Sequence, residues 1–511
     1  MKLFGGSKPD HPLADPKEAK RLLEGLPAND PVKALDELMH WMESVAAVEG
    51  FRSDARIQLL MSLDDAAQPF ARKLGKDYFA TGRPSRFQEN RLWSALHGYW
   101  KHAGYSYARS VDQFVQNAKG VEAAKALLPL LLVRTLRSFA QQFKWMHMRY
   151  GPIELATWGV FNSVYAFAEA RQLAQSKVTV YQGTGAGKSA GAGGSSTPQL
   201  EFLTGAMFSA SAPDGMLPVE IELAERLIAE LAPRFVLGNA PAEGIVFWTD
   251  LAQAMSPARL TRPPQAVPGL RCFGPGAAHA ELHDLAERVM VGGQVPAEVN
   301  LGGSYEPHVA LEAMRHLLLY WSPQAPERKS QRHPVKTRLA VAHGFAGVLG
   351  VLGEGDSLDF DNQNSESWIV ENVSAGGFGA VVPQLKGDWL RVGALLALQP
   401  EGGTNWVLGL VRRVNRLAGQ QARVGIETLS KTPLLSRFVV AGVASVTEQG
   451  VLMKGGEAAE TRIVLKPGAF TPGQNLEIAH GGRNHVYLPQ ALAERGEDYE
   501  IARFRELVRE S

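Results

Sequence analysis

One cysteine, Cys272, stands in a chain of 511 residues. No intrachain disulfide and no cysteine-based metal site can form, which fits a reducing compartment. An excess of one charge is also missing. Lys and Arg number 53 against 52 Asp and Glu, a formal net charge of +1. A global electrostatic grip on nucleic acid or an anionic membrane needs a strongly basic face, so neither is an expected partner, although a local basic pocket stays open. Long apolar runs are absent too. The most apolar one, Ala126 to Val133, is far too short to span a bilayer and lies between Lys125 and Arg134. The first residues, MKLFGGSKPDHPLADPKE, hold no continuous apolar stretch of the kind a secretory signal needs. No Ser-His-Asp, Cys-His or paired-carboxylate arrangement stands out, so no catalytic residue is assigned and no enzyme is expected. The expectation is a cytoplasmic protein, too long for a single core and therefore multidomain.

What is present divides into two textures. Residues 1–181 read as helices. Asp15-Pro16-Lys17-Glu18 and Asp30-Pro31 are start signals, each with an acidic N-cap before proline. Val32, Leu35, Leu38, Met39, Met42 and Val45 then recur at helical spacing. An antiparallel bundle or a short solenoid is expected. Trp158, Phe161, Tyr165, Ala168 and Ala170 resemble a tetratricopeptide-type helix, but no repeat period accompanies them. Residues 182–198 are rich in Gly, Ala, Ser and Thr and read as a flexible linker. A second, mainly helical region follows over 199–322. After Pro326 short Val/Leu/Ala/Ile/Trp runs alternate with Gly-containing turns, the pattern of a small β-barrel over 323–434. Strand-like runs continue over 435–511, as an extension of that barrel or a second β unit, and the charged tail from Asp498 reads as a terminal helix. The fold class is therefore α+β and multidomain: an all-α N-terminal region, a barrel and a β-rich C-terminal extension.

Several motifs have ordinary explanations. Gly183-Thr-Gly185-Ala-Gly187-Lys188-Ser189 imitates a P-loop, but Gln182 stands where the first glycine is needed and the residues that follow are poor helix formers. Trp93, His97, Tyr99, Trp100, His102, Tyr105 and Tyr107 suggest a ligand box, yet at helical spacing they read as core packing. His480 and His485 have no third histidine or carboxylate pair nearby, so no metal site is assigned there.

Two strings remain. Arg328-Lys-Ser-Gln-Arg332 places two guanidinium groups four residues apart, between Pro326 and Pro334, which keep the stretch from being a regular helix. Asn372-Val-Ser374-Ala-Gly376-Gly377 is a polar, Gly-ended turn after the apolar run Trp368-Ile-Val370. With these strings residues 326–432 resemble a PilZ domain, the bacterial receptor module for cyclic di-GMP. Trp406-Val-Leu-Gly409-Leu-Val-Arg-Arg-Val and Ala422-Arg-Val-Gly425-Ile-Glu427 resemble two late strands of its barrel.

The resemblance implies a cyclic di-GMP effector and no cofactor. Arg328 and Arg332 would wrap the ligand from outside the barrel, Asn372 and Ser374 would supply polar groups towards guanine and phosphate, and Gly376 and Gly377 would allow close backbone approach. Guanidinium forks match phosphate oxygens and the guanine O6/N7 edge, and their planes stack on bases. The arginines sit where the helical region meets the barrel, so ligand capture is expected to reorient the two and regulate a protein partner, in the family often one of motility, pili or exopolysaccharide. The rival expectation is a helical interaction scaffold whose barrel no longer binds nucleotide. Two features depart from the pattern: an acidic insert over 353–366 and Glu327 before the first arginine. The insert would either fold over the site or form a mobile loop, and its negative charge does not help an anion bind; the neighbourhood of Glu327, by the resemblance, leaves open whether one ligand or a stacked pair binds.

Overall fold

The computed structural model describes residues 9–80, 85–181, 194–299, 301–303, 305–324, 326–327, 330–353, 365–440, 447–454, 460–480 and 483–509. The chain divides into two units. The first holds residues up to Pro326 apart from Tyr150–Pro152 and Asp214–Leu217; these two short segments belong with Glu327–Ser511 in the second.

The first unit is built on helices α1 (Pro16–Glu24), α2 (Pro31–Ala47), α3 (Ser53–Tyr78), α4 (Arg86–Val115), α5 (Leu128–His147), α6 (Leu155–Ala170), α7 (Pro198–Ala210), α8 (Pro218–Leu231), α9 (Ala278–Gly292) and α10 (Pro307–Trp321). The start signals act as read. Asp15 and Asp30 accept from the amides of Lys17 and Lys33, with proline in the first turn of α1 and α2. Helix α5 packs against α4, α6, α7 and α8. Its Leu131, Leu132, Val133, Leu136, Phe139 and Phe143 are all fully buried, the all-round apolar burial of a central helix.

Strands β1 (Val178–Thr179) and β2 (Ser195–Ser196) pair on either side of residues 182–193. The Gly183–Ser189 run thus lies outside the described residues, while the end of the expected linker is β2 and the start of α7. The region after α7 also contains a sheet that its helical texture hid. Strands β3 (Val236–Gly238), β4 (Phe247–Asp250), β5 (Ala258–Arg259) and β6 (Leu270–Gly274) pair antiparallel in the order β3-β6-β4-β5. They are too short for a visible two-residue alternation.

A buried polar cluster sits inside this unit. Asp64 is 0 % exposed and Arg134 3 %, and Arg134 Nη1 donates to Asp64 Oδ2 at 3.2 Å. Tyr107 Oη–H donates to the same carboxylate at 2.7 Å, and Gln68 and Tyr99 donate to its other oxygen. Arg134 also donates to the Val180 carbonyl at 2.7 Å and stacks on the Tyr181 ring at 4.5 Å. The carboxylate and guanidinium are thus paired and hydrogen-bonded, which is what burial of charge requires. The aromatic set of α4 is packing: Tyr99 and Tyr107 bond Asp64, and His97 stacks on Trp93 at 4.8 Å. Burial, with the positive charges of Lys101 and His102 added, pushes His97 down to about 4.

The second unit contains two closed six-stranded barrels. The first comprises β7 (His333–His343), β8 (Glu366–Ser374), β9 (Gly377–Val382), β10 (Leu395–Pro400), β11 (Val407–Arg416) and β12 (Ala422–Ser430), with α11 (Gly344–Gly353) between β7 and β8. Its hydrogen-bonded order is β10-β11-β12-β9-β8-β7. Leu339, Trp368, Val370, Ala380, Val424 and Ile426 are buried, and along β8 Ile369 between Trp368 and Val370 is exposed.

The second barrel comprises β13 (Leu434–Val440), β14 (Thr447–Lys454), β15 (Glu460–Leu465), β16 (Leu476–His480), β17 (Arg483–Arg495) and β18 (Glu500–Arg509), in the order β13-β14-β15-β18-β17-β16. The terminal helix expected from Asp498 is therefore a strand. Good helix formers compose it, but β18 pairs with β15 on one side and β17 on the other and buries Ile501, Ala502 and Phe504. Tertiary pairing overrides propensity. His485 lies 2.7 Å from Glu506 in this barrel, and the His480 side chain is outside the described residues. A shared apolar core joins the barrels through Phe345 and Val348 of α11, Leu395, Ala397, Leu408 and Leu410, and Val451, Met453, Val464 and Ile501. Tyr499 Oη donates to the Gly393 carbonyl across the same contact at 2.8 Å.

Candidate functional site on the first barrel

Strand pairing brings the two motif strings together. β7 runs antiparallel to β8 with His333 opposite Val373 and Pro334 opposite Asn372. Arg332, exposed and immediately before β7, therefore lies at the end of β8 that carries Asn372 and Ser374. Arg328 falls outside the described residues, as do residues 354–364 of the acidic insert, while Glu327 is exposed.

Ser374 and Gly377 close the β8–β9 hairpin as its last pair, and Ser374 Oγ donates to the Gly377 carbonyl at 3.4 Å. Gly376 has nothing within 4 Å of the place its Cβ would take. Its carbonyl accepts from Thr428 N at 2.9 Å, tying the turn to β12. Gly377 is different: a Cβ there would lie 1.9 Å from the Ile426 carbonyl oxygen. Glycine is required because β12 backbone passes directly beneath. Gly377→Ala is expected to destabilise the barrel by about 1–3 kcal/mol, the usual range for overpacking. A lower thermal midpoint, with loss of ligand binding, is the readout; a wild-type midpoint would contradict the close approach.

The Asn372 amide lies over strand β9. A Cβ on Gly379, its partner in the pairing, would stand 2.6 Å from both Oδ1 and Nδ2. Gly379 pairs in turn with Gly425 of β12. The missing side chain of Gly379 is what lets the Asn372 amide lie on β9, and Gly425 beside it borders Arg413, which pairs with Asp214. An open hollow of about 600 Å3 is lined by Pro334, Val335, Lys336, Ile369, Val370, Glu371 and Val381. That volume is in the range of small-molecule sites. Both neighbouring pairings are irregular here: β7 steps from Pro334 to Thr337 while β8 steps from Asn372 to Val370, and β8 steps from Val370 to Asn372 against β9. Bulges of this kind re-aim side chains next to sites.

The sequence motifs missed Lys336 and Glu371, and they gave Arg423, inside the string Ala422 to Glu427, no role at the site. Arg423 of β12 reaches Glu371 with Nε 3.1 Å from Oε2. A two-residue alternation puts some of these groups on the outer face, but a bulge has no signature in one sequence. Chemically, the arrangement offers cations, amide and hydroxyl groups and aliphatic surface within one face, which suits a flat, anionic ligand with polar base edges. Among the described residues no group of His, Cys, Asp or Glu could hold a metal ion, and no helix is long and apolar enough to cross a membrane.

Comparison with known families gives two matches. Residues 17–242 are similar to the N-terminal domain of the cyclic-di-GMP receptor FimW, and residues 355–433 to its middle PilZ domain. Together they span more than half of the chain. The second match includes Asn372, Ser374, Gly376 and Gly377 but begins after Arg328, Arg332 and β7. No curated protein matches the chain.

Proposed function

Because the chain belongs to the family of PilZ-type cyclic di-GMP receptors, we propose that it binds cyclic di-GMP on the outer face of its first barrel. The observation that carries this reading is the β7–β8 pairing, which sets Arg332 beside Asn372 and Ser374 at the edge of the hollow. Arg328 and Arg332 supply guanidinium forks for the phosphates and the guanine O6/N7 edge. Asn372 and Ser374 supply short polar groups from the barrel, and Gly376 and Gly377 keep the turn free of side chains. The protein acts as a receptor in the cytoplasm, with no reaction of its own and no cofactor.

The output is a change in the relation between the helical unit and the barrels. The arginine string follows Pro326, where the chain passes from one unit to the other. Capture of the ligand by the arginines shifts that relation, and the helical unit then presents or withdraws a surface for a protein partner, of the motility, pilus or exopolysaccharide machinery. The ligand drives this only as far as its affinities for the two arrangements differ. Solution scattering with and without cyclic di-GMP tests the step. Changed profiles with saturating ligand support it; identical profiles from a protein that binds leave a receptor without reorientation.

A further inference from the structure

We propose that Glu371 selects guanine in this site, with Arg423 as its positioning residue. The inference rests on the hollow being the cyclic di-GMP site and adds how the base is distinguished.

Glu371 is the residue that the bulge adds to β8. Against β9 the pairing passes from Val370–Ala380 to Asn372–Gly379, leaving Glu371 without an opposite number. Against β7, Val335 and Lys336 are the unpaired residues facing it. All three line the hollow. The irregularities on both sides of β8 therefore converge on one carboxylate, placed directly before Asn372.

The carboxylate is held from one side. Arg423 Nε lies 3.1 Å from Oε2 and Nη2 3.3 Å from Oε1. A carboxylate offers about four lone-pair positions, so a two-pronged arginine leaves acceptor capacity on both oxygens. Guanine presents N1–H and N2–H side by side, a donor pair that matches two carboxylate oxygens. Adenine has an acceptor at N1, and hypoxanthine keeps N1–H but lacks the exocyclic amine. Arg423 also offsets the charge of Glu371, which otherwise repels a ligand carrying two phosphodiesters. Val335, Ile369 and Val381 offer aliphatic surface for the plane of a base.

The pair is open to solvent, with side chains 37 % and 59 % exposed. Exposed ion pairs contribute little to stability, so removing Glu371 leaves the fold intact. The test is calorimetric titration of the full chain with cyclic di-GMP and with cyclic di-IMP, its hypoxanthine analogue. The wild type is expected to prefer cyclic di-GMP by about tenfold or more, the scale of one hydrogen bond to a charged group. In Glu371→Ala that preference falls to within about threefold, mainly through weaker cyclic di-GMP binding. A wild-type preference retained in Glu371→Ala overturns the inference, as does a wild type indifferent to the two ligands. In both cases the receptor reading stands. A wild type that binds neither ligand overturns both.

Discussion

Arg332→Ala is expected to weaken cyclic di-GMP binding by about 100-fold or more, while the thermal midpoint of the protein stays at the wild-type value. Two charge-assisted hydrogen bonds at about 1.5 kcal/mol each amount to roughly this factor. Arg332 is exposed, so its removal leaves no cavity and no orphaned buried partner. Arg328→Ala, on the same string, has the same expected direction. Arg332→Lys is a real loss as well, because a point charge reproduces neither the fork nor the stacking plane. Titration calorimetry on the full chain reads all three. Wild-type affinity in Arg332→Ala would remove the arginine string from the site.

The second large effect concerns stability. Asp64→Ala is expected to cost the helical unit about 3–5 kcal/mol, because it strands the buried Arg134 guanidinium. Arg134 keeps Asp65 and the carbonyls of Met61 and Val180, but it loses the one fully buried carboxylate that faces it. Tyr99, Tyr107 and Gln68 lose their acceptor at the same time. Denaturant unfolding followed by far-UV circular dichroism gives the magnitude. Replacing both charges, as in Asp64→Leu with Arg134→Met, should recover much of the loss, since apolar residues of similar volume often replace buried pairs at little cost. A single mutant within about 1 kcal/mol of wild type would mean that the pair is solvated or dispensable.

Which parts of this architecture a sequence discloses follows from how locally each is encoded. The N-caps of α1 and α2 were legible because an acidic residue before proline acts within one turn. The apolar run Trp368-Ile-Val370 lies in β8, and the strings from Trp406 and Ala422, legible as barrel strands, are β11 and β12. β18 was not, because Glu500-Ile-Ala-Arg-Phe-Arg-Glu-Leu-Val-Arg509 is locally a good helix and becomes a strand only through β15 and β17. The four-stranded sheet β3-β6-β4-β5 stayed hidden for a related reason: its strands are two to five residues long and its pairing order is not sequential.

At the candidate site the contrast is similar. Asn372, Ser374 and the glycines announce themselves as a motif, but only the β7–β8 register sets Arg332 near them. Glu371 falls between the quoted strings, and it meets Arg423 across β9 at a bulge. Arg412 shows the same lesson. It lies in the string Trp406 to Val414 yet bonds Glu494 of the second barrel at 2.7 Å, a contact between residues 82 apart.

The most direct test of the whole account is titration of cyclic di-GMP into the purified full-length chain, beside the Arg332→Ala protein under the same conditions. Saturable heat with micromolar or tighter affinity in the wild type, lost in the variant, is the predicted result. Absence of heat at high protein concentration, or equal affinity in the two proteins, would contradict it.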